Sequence, residues 1–224
     1  RAYALVDGSL YTERNWLARP RTSRSYCNAG FGVVGQVLEC AGGAIYSEQA
    51  RISIFTPIDM DGAGFFLREV DRARLATPYG WSGRRYTPLG ESGFAFYPAS
   101  SLRVSITGLA RYAQMLLRGG EIDGTRILGE ASVAVMLSIQ YPRVHPGQAL
   151  AFYERQVDGN RYIGHSGSTF GGSTQMLLSR SGTHAILLIT NSDAYVRERV
   201  LGLTEGSDAI EAILSRLDEE AAAL

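Results

Sequence analysis

Residues 149–190 read ALAFYERQVDGNRYIGHSGSTFGGSTQMLLSRSGTHAILLIT, and this stretch decides the fold class. It contains four short runs rich in aliphatic, aromatic and β-branched residues, at 149–157, 161–165, 173–179 and 184–190. Short segments separate the runs: DGN at 158–160, GG at 171–172 and SG at 181–182. Because such segments favour tight turns between antiparallel strands, we expect a four-stranded antiparallel meander.

Helical patterns lie on both sides of this meander. Apolar residues at helical spacing predict helices over 28–41, 46–55, 105–118, 130–137 and 208–220. We expect Asn28 and Ser105 to be N-caps of two of these helices. Helices, an antiparallel run and a covering helix together indicate an α+β architecture. We divide the chain into a mainly helical region at 1–140 and a sheet region with a C-terminal helix at 141–224, together one domain.

The charge composition excludes several classes of function. Acidic and basic residues balance at 22 each, which argues against binding to nucleic acid through net charge. No run of about 18 apolar residues predicts a membrane-spanning helix, and the opening RAYALVD is too short and polar for a signal peptide. All 22 basic residues are arginine. The chain therefore lacks the lysine of a phosphate-binding P-loop, a Schiff-base enzyme or a Ser-x-x-Lys nucleophile motif.

Two motifs and the histidines suggest chemistry that the surrounding sequence does not support. GFGVVG at 30–35 matches the dinucleotide fingerprint, but no strand precedes it, and close helix packing through glycine is the alternative. GHSGS at 164–168 resembles a nucleophile elbow, but no histidine follows His184 to complete a triad. The three histidines are scattered, so we expect no metal site and no cofactor.

A further set of short motifs follows one order along the chain. The set consists of YCNAGFG at 26–32, IFTPIDM at 54–60, ASSL at 99–102, LARY at 109–112, GG at 119–120, RIL at 126–128, GHSGS at 164–168 and TNSD at 190–193. We expect ASSL to open a helix after an irregular segment. In this order the motifs resemble the serine β-lactamase, DD-peptidase (penicillin-binding protein) and esterase family, especially its class C-like branch. The resemblance implies a β-lactamase/transpeptidase-like fold over residues 26 to about 220.

The resemblance implies serine nucleophile chemistry, in which an acyl-enzyme forms and water or another acceptor releases it. Tyr26 aligns with the tyrosine of the family's Y-x-N motif. In the family this tyrosine transfers the proton of the serine nucleophile. Because a phenol titrates near pH 10, that role requires cationic neighbours that lower the pKa of the phenol. The alternative interpretation of Tyr26 is a buried aromatic residue that caps a helix. Asn28 aligns with the amide that contacts the acyl-side amide of the substrate.

The GHSGS motif supplies the other residues that the resemblance implies. His165 aligns with the first residue of the K/H-[TS]-G strand, where it donates a hydrogen bond to Tyr26 or to a substrate carboxylate. Ser166 would hydrogen-bond the substrate, and Gly167 would let the substrate approach the strand. The backbone N–H of Ser168 matches one of the two oxyanion-hole donors. Removing such a donor raises the activation barrier by about 3 kcal/mol.

The chain departs from the family at its nucleophile. Ser-x-x-Lys is absent, and the family places that motif well before Y-x-N. We therefore expect the C-terminal two-thirds of the fold, with the N-terminal part missing. Three interpretations stay open. The chain is part of a serine hydrolase whose nucleophile comes from a missing N-terminal segment or a second chain, or it is a non-catalytic binding module, or it is an inactive truncated fragment that exposes apolar surface.

Residues 61–100 form a long segment with eight aromatic residues between Phe65 and Tyr97. So many aromatics favour an ordered, packed loop over a disordered one. In the resembled fold we expect the loop at 61–97 to line the cleft and to suit an ester or a hydrophobic acyl group at least as well as a peptidoglycan stem. The resemblance also implies a small-molecule or peptide substrate with an acyl group, and a periplasmic or secreted location over a cytoplasmic one.

Overall fold

The structure, a computed structural model, describes residues 8–9, 11–202 and 204–223. The segment RAYALVD, considered above as a signal peptide, lies outside the described residues. A four-stranded sheet and two small hairpins make up the strands. They are β1 (Tyr79–Trp81), β2 (Tyr86–Pro88), β3 (Glu121–Ile122), β4 (Thr125–Arg126), β5 (Tyr153–Val157), β6 (Asn160–Thr169), β7 (Gly172–Ser179) and β8 (Ala185–Thr190).

The predicted meander is confirmed. The sheet has the order β5-β6-β7-β8, and every neighbouring pair is antiparallel. Asp158 and Gly159 join β5 to β6 with positive φ angles of 47° and 87°, the conformation that a two-residue type I′ hairpin requires. Strand β5 begins four residues later than predicted, because Ala151 also has a positive φ of 61° and the chain turns there.

In the part of the chain that the structure describes, seven α-helices accompany the strands. They are α1 (Asn28–Gly42), α2 (Tyr46–Ala50), α3 (Tyr97–Ser100), α4 (Ile106–Leu117), α5 (Glu130–Leu137), α6 (Ala194–Leu201) and α7 (Glu205–Ala222). One π-helical turn at Arg51–Phe55 extends α2, and 3-10 turns occupy Glu13–Asn15 and Arg72–Arg74. The five predicted helices are present, whereas α3, α6 and both small hairpins were not predicted. Within the described residues, no helix combines the length and the apolar character needed to cross a membrane.

The helix starts confirm one predicted cap and correct another. Ser105 caps α4, since its Oγ accepts a hydrogen bond from the Gly108 N–H at 3.0 Å. The prediction that Asn28 caps α1 is wrong. Cys27 is the N-cap, with its Sγ accepting from the Gly30 N–H at 3.3 Å, and Asn28 is the first helical residue. The segment ASSL was expected to open a helix, but its first two residues end α3 instead.

The main sheet has an apolar core on each face, because successive residues of a strand point to opposite sides. On one face Ile163 of β6 packs with Met176 and Leu178 of β7 in a large cluster that includes residues of α4 and α5. On the other face Tyr162 and Leu177 pack in a smaller cluster with residues of α6 and α7. Strand β6 therefore separates two different environments.

The aromatic segment at 61–100 is packed around Phe65 but exposed over residues 82–88, so the prediction of a packed loop holds only in part. Phe65 is buried, and its ring lies 5.4 Å from that of Tyr46 and 5.6 Å from that of Tyr97, both in edge-on contacts. The β1–β2 hairpin interrupts the irregular chain and is anchored to the end of β8 by a 2.8 Å hydrogen bond from the Tyr79 N–H to the Asn191 carbonyl.

Helix α1 has the predicted apolar spacing but is buried only at Gly35. A Cβ at that position would lie 2.6 Å from Pro98 Cγ, so a glycine is needed for the close approach of α1 to α3. GFGVVG thus serves helix packing, which was the alternative to a dinucleotide site. Most of the remaining apolar side chains of α1 are exposed, namely Phe31, Val33, Val34, Val37 and Leu38.

Candidate functional site

A cavity of about 230 Å³ lies between the start of α1 and the middle of β6. Its walls come from the loop before α1, the first two turns of α1, the chain leading into β5, and β6 itself. The lining residues are Arg24, Ser25, Tyr26, Cys27, Gly30, Phe31, Val34, Gln148, Ala151, Tyr153 and His165. The cavity therefore contains two of the predicted catalytic residues, Tyr26 and His165.

The rings of three residues meet in this cavity. The Tyr26 and His165 ring centroids lie 6.1 Å apart in a tilted arrangement. Tyr153 also contacts the imidazole, edge-on, with ring centroids 5.3 Å apart. His165 thus contacts two tyrosines, although 138 residues lie between Tyr26 and His165 in sequence.

Burial lowers the pKa of His165 below its usual value of 6.5, and the positive charge of Arg24 adds to this effect. The imidazole is therefore neutral at neutral pH and available to donate through one ring nitrogen and accept through the other. The permanent cation of the cavity is the Arg24 guanidinium. Its Nε donates to Gln148 Oε1 at 2.9 Å, which fixes its position at the cavity wall.

The backbone of β6 exposes one edge beside this cavity. Beyond Gly164, which pairs with Tyr153, β5 no longer covers that edge. The Ser166 N–H points to this side, because it donates to the Tyr153 hydroxyl at 2.9 Å. Since alternate N–H groups of a strand point the same way, the Ser168 N–H also faces the uncovered edge.

The side chains of the predicted binding residues do not all reach the cavity. Asn28 is half-buried at the start of α1 and is not among the lining residues. The Ser166 and Ser168 side chains project from the opposite face of β6 and line a second cavity. Gly167 lines neither cavity, and a Cβ there would lie 2.5 Å from Thr174 Oγ1, so a larger residue would displace the Thr174 side chain on the neighbouring strand.

Three residues of the site were not predicted. Tyr153 lay inside a predicted strand, and only the strand register shows that it faces the GHSGS motif. Arg24 was one of several arginines in an irregular segment, and Cys27 was only the middle residue of Y-x-N. The expectation that the aromatic segment at 61–97 lines the cleft is wrong for this cavity, because none of its lining residues comes from that segment. Phe65 and Tyr97 are packed against Tyr46 instead.

The described residues contain no group of three or more histidine, cysteine, aspartate or glutamate side chains placed to hold a metal ion. The polar side chains of the cavity are two phenols, an imidazole, a thiol, a guanidinium, a hydroxyl and an amide. These groups are suited to proton transfer and to hydrogen bonding of a polar substrate.

Comparison with known proteins identifies the family. The sequence profile described as beta-lactamase matches residues 9–207. The chain belongs to the beta-lactamase family. It is also 29% identical over 192 residues to penicillin-binding protein 4 of Amycolatopsis lactamdurans, a match that covers 75% of this chain and 48% of that protein. The chain therefore spans about half the length of this curated relative.

Solved structures confirm the α+β fold of this beta-lactamase family member. The octameric penicillin-binding protein homologue from Pyrococcus abyssi superposes with a TM-score of 0.66 at 22% identity, covering 84% of this chain and 45% of that one. The D-amino acid amidase from Ochrobactrum anthropi SV3 superposes with a TM-score of 0.67 at 20% identity, covering 89% of this chain and 60% of that one.

Proposed function

We propose that this chain forms the substrate-binding and proton-transfer part of a serine hydrolase active site, and that sequence outside the 224 residues supplies the nucleophile. The observation that carries this proposal is the pairing of Tyr26 with His165 in one cavity beside Arg24. The substrate is an ester, an amide or a β-lactam.

Tyr26 and His165 each have a defined part in the proposed reaction. Tyr26 accepts the proton of the serine hydroxyl as the Oγ–carbon bond forms, and returns a proton to the leaving group as the acyl bond breaks. Water then attacks the acyl carbon. Tyr26 accepts a proton from water as the new carbon–oxygen bond forms and returns it to the serine Oγ as the ester bond breaks, which releases the acid and restores the serine. The neutral His165 donates a hydrogen bond that orients the Tyr26 phenol or the substrate.

Two further groups would stabilise charge during these steps. A phenol titrates near pH 10, so a nearby permanent cation is needed to favour its ionised form, and Arg24 supplies one at the same cavity wall. The Ser168 N–H faces the uncovered edge of β6, and we propose that it donates to the oxyanion from there. Removing such a donor raises a barrier by about 3 kcal/mol.

Two observations support a nucleophile from outside these residues. The chain has no lysine, so no Ser-x-x-Lys motif is present in it, and it spans about half of the relative that it matches. The exposed side chains of α1 are apolar and border the cavity at Phe31 and Val34. We propose that the segment carrying the nucleophile packs on this surface.

Active-site labelling tests the proposal. The full-length gene product is expected to react covalently with a fluorescent penicillin or a fluorophosphonate. Tyr26→Phe should lower the labelling rate by about 100-fold or more, the usual contribution of a general base. The matched control is Tyr86→Phe, since Tyr86 has a similar exposure, 59% against 57% for Tyr26, and lies in the β1–β2 hairpin. This variant should label at the normal rate.

The alternatives predict different results. A full-length protein that binds the penicillin reversibly without a covalent adduct would be a binding module rather than a hydrolase. Hydrolysis of nitrocefin or a p-nitrophenyl ester by the purified 224-residue chain would contradict an external nucleophile.

A further inference from the structure

Tyr153 lies at the point where β5 ends and the edge of β6 becomes uncovered. It is the first residue of β5 and pairs with Gly164. Continuing this register would place Ala151 opposite Ser166, but Ala151 has a positive φ of 61° and the chain turns away from β6 there. The backbone of β5 therefore ends before it can pair with Ser166.

The Tyr153 side chain covers the Ser166 N–H in place of a strand. Its hydroxyl oxygen accepts from this N–H at 2.9 Å and is also hydrogen-bonded to the Ser166 hydroxyl. The half-buried ring is held by its edge-on contact with His165. The phenol thus stands where the backbone carbonyl of a longer β5 would be. Ser168, which is exposed, is the next residue of β6 whose N–H and C=O face the same edge.

The direction of β6 decides which part of a substrate meets Tyr153. A substrate residue that exchanges both backbone hydrogen bonds with Ser168 lies antiparallel to β6, as β5 does. The substrate chain then runs from Ser168 towards Ser166, so the leaving group, on the carboxyl side of the bond that is cleaved, points to Tyr153. The second residue of a peptide leaving group would need the Ser166 N–H, about 7 Å along the strand. The Tyr153 hydroxyl already occupies that donor.

We propose that Tyr153 is a specificity-determining residue that limits the leaving group to a single residue or to a small alcohol or amine. Fitting substrates are N-acyl amino-acid esters and amides, and peptides cleaved at their last peptide bond. This inference rests on the proposed function, since it names the substrate class of the same site. A longer leaving group has to displace the Tyr153 hydroxyl or turn away from the edge.

Titration of the isotopically labelled 224-residue chain with two probes, followed by heteronuclear NMR, tests the binding step without a nucleophile. The short probe is N-acetylphenylalanine methylamide. The long probe is N-acetylphenylalanyl-valyl-valine methylamide, whose valines favour an extended chain. Both are used with D- and with L-phenylalanine. The short probe should shift the Ser168 amide signal in a saturable manner, and the long probe should bind about 5-fold more weakly, the effect of one lost hydrogen bond.

Variants of Tyr153 should reverse this preference. Tyr153→Val removes the ring and the hydroxyl but keeps a residue suited to a strand, so the long probe should now bind about 5-fold more tightly than the short one. Tyr153→Phe keeps the ring, and the Ser166 amide hydrogen should exchange with solvent at least about 10-fold faster. Tyr195→Phe is the matched control. Tyr195 is also half-buried and its hydroxyl also makes two hydrogen bonds, but it packs on the opposite face of the sheet, so both probes should bind as to the unaltered chain.

Turnover by the full-length protein tests the consequence for specificity. The unaltered protein should hydrolyse the phenylalanyl bond of the short probe with a kcat/KM at least about 5-fold above that of the long probe, and Tyr153→Val should bring this ratio below 1. A side chain that only stabilised β5 would change kcat/KM for both probes by the same factor and leave the ratio unaltered.

Four results would overturn the role of Tyr153. They are equal binding of the two probes by the unaltered chain, an affinity ratio that Tyr153→Val leaves unchanged, Ser166 exchange unaffected by Tyr153→Phe, and no saturable binding at Ser168. Because binding requires no nucleophile, a full-length protein that forms no covalent adduct with penicillin would refute the hydrolase, while the probe titrations still decide the role of Tyr153.

Discussion

Replacing Tyr162 with phenylalanine should destabilise the protein by about 3 kcal/mol. Tyr162 is fully buried in β6, and its hydroxyl donates to the buried Asp218 carboxylate of α7. Burial and the Asp218 carboxylate raise the pKa of this phenol, so it keeps its proton at neutral pH. The hydroxyl therefore acts as a hydrogen-bonded link between the sheet and the C-terminal helix.

The magnitude follows from the bonds that the hydroxyl makes. Its single proton is given to Asp218, so its oxygen must accept from His184 Nε2, which lies at 3.0 Å. His184 Nδ1 then accepts from the Thr183 hydroxyl at 2.9 Å. A hydrogen bond to a charged group contributes about 1.5–3 kcal/mol and a neutral one about 0.5–1.5 kcal/mol. Losing both gives a range of about 2–4.5 kcal/mol, with Asn160 left as a donor to Asp218.

Urea unfolding followed by far-ultraviolet circular dichroism measures this change, with Tyr86→Phe as the exposed control. Adding Asp218→Asn to Tyr162→Phe should recover part of the loss, because the carboxylate no longer lies buried without its charge-assisted donor. A cost below about 0.5 kcal/mol for Tyr162→Phe, the range of ordinary surface substitutions, would refute this reasoning.

Two further predictions concern β6. Gly164→Ala should destabilise the protein by more than about 3 kcal/mol in urea unfolding, because the new Cβ would lie 1.9 Å from the Met176 carbonyl oxygen. In the control Gly93→Ala the new Cβ meets no atom within 4 Å, so this variant should unfold at nearly the normal urea concentration. The lowered pKa of His165 means that the unfolded chain binds a proton first as the pH falls below about 6.5. The free energy of unfolding should thus decrease from pH 6.5 downwards until the folded imidazole is also protonated, and His165→Gln should lack this contribution; an unchanged pH profile in that variant would contradict it.

The elements that sequence predicted well are those with a strong local pattern. Helix α5 matches its predicted bounds, and the Asp158-Gly159 turn was visible as a dipeptide with a defined conformation. Helix α6 was missed because its apolar residues do not form a sustained face. Strand β6 extends four residues beyond its prediction, because the serines and glycines of GHSGS have low β-propensity and are held by pairing with β7.

Only part of the candidate site could be predicted from the sequence. Tyr26 and His165 were identified through motifs, and the structure places them together. Tyr153 and Arg24 reach the site through the register of β5 and the path of an irregular loop, neither of which leaves a periodic signal. Any strand places neighbouring side chains such as His165 and Ser166 on opposite faces, so that alternation was predictable. The cavity found on each face depends on the packing of α1 and α6, which was not.

The alternation along β6 restricts changes of length rather than changes of residue type. An insertion or deletion of one residue between Gly164 and Ser168 would exchange every side chain beyond it between the two cavities. A change between Gly164 and His165 would make His165 and Ser166 exchange faces of the sheet even though each residue was retained. Length variation among relatives should therefore be confined to the hairpin turns at 158–159, 170–171 and 180–184, while alignments through β6 should contain no gaps.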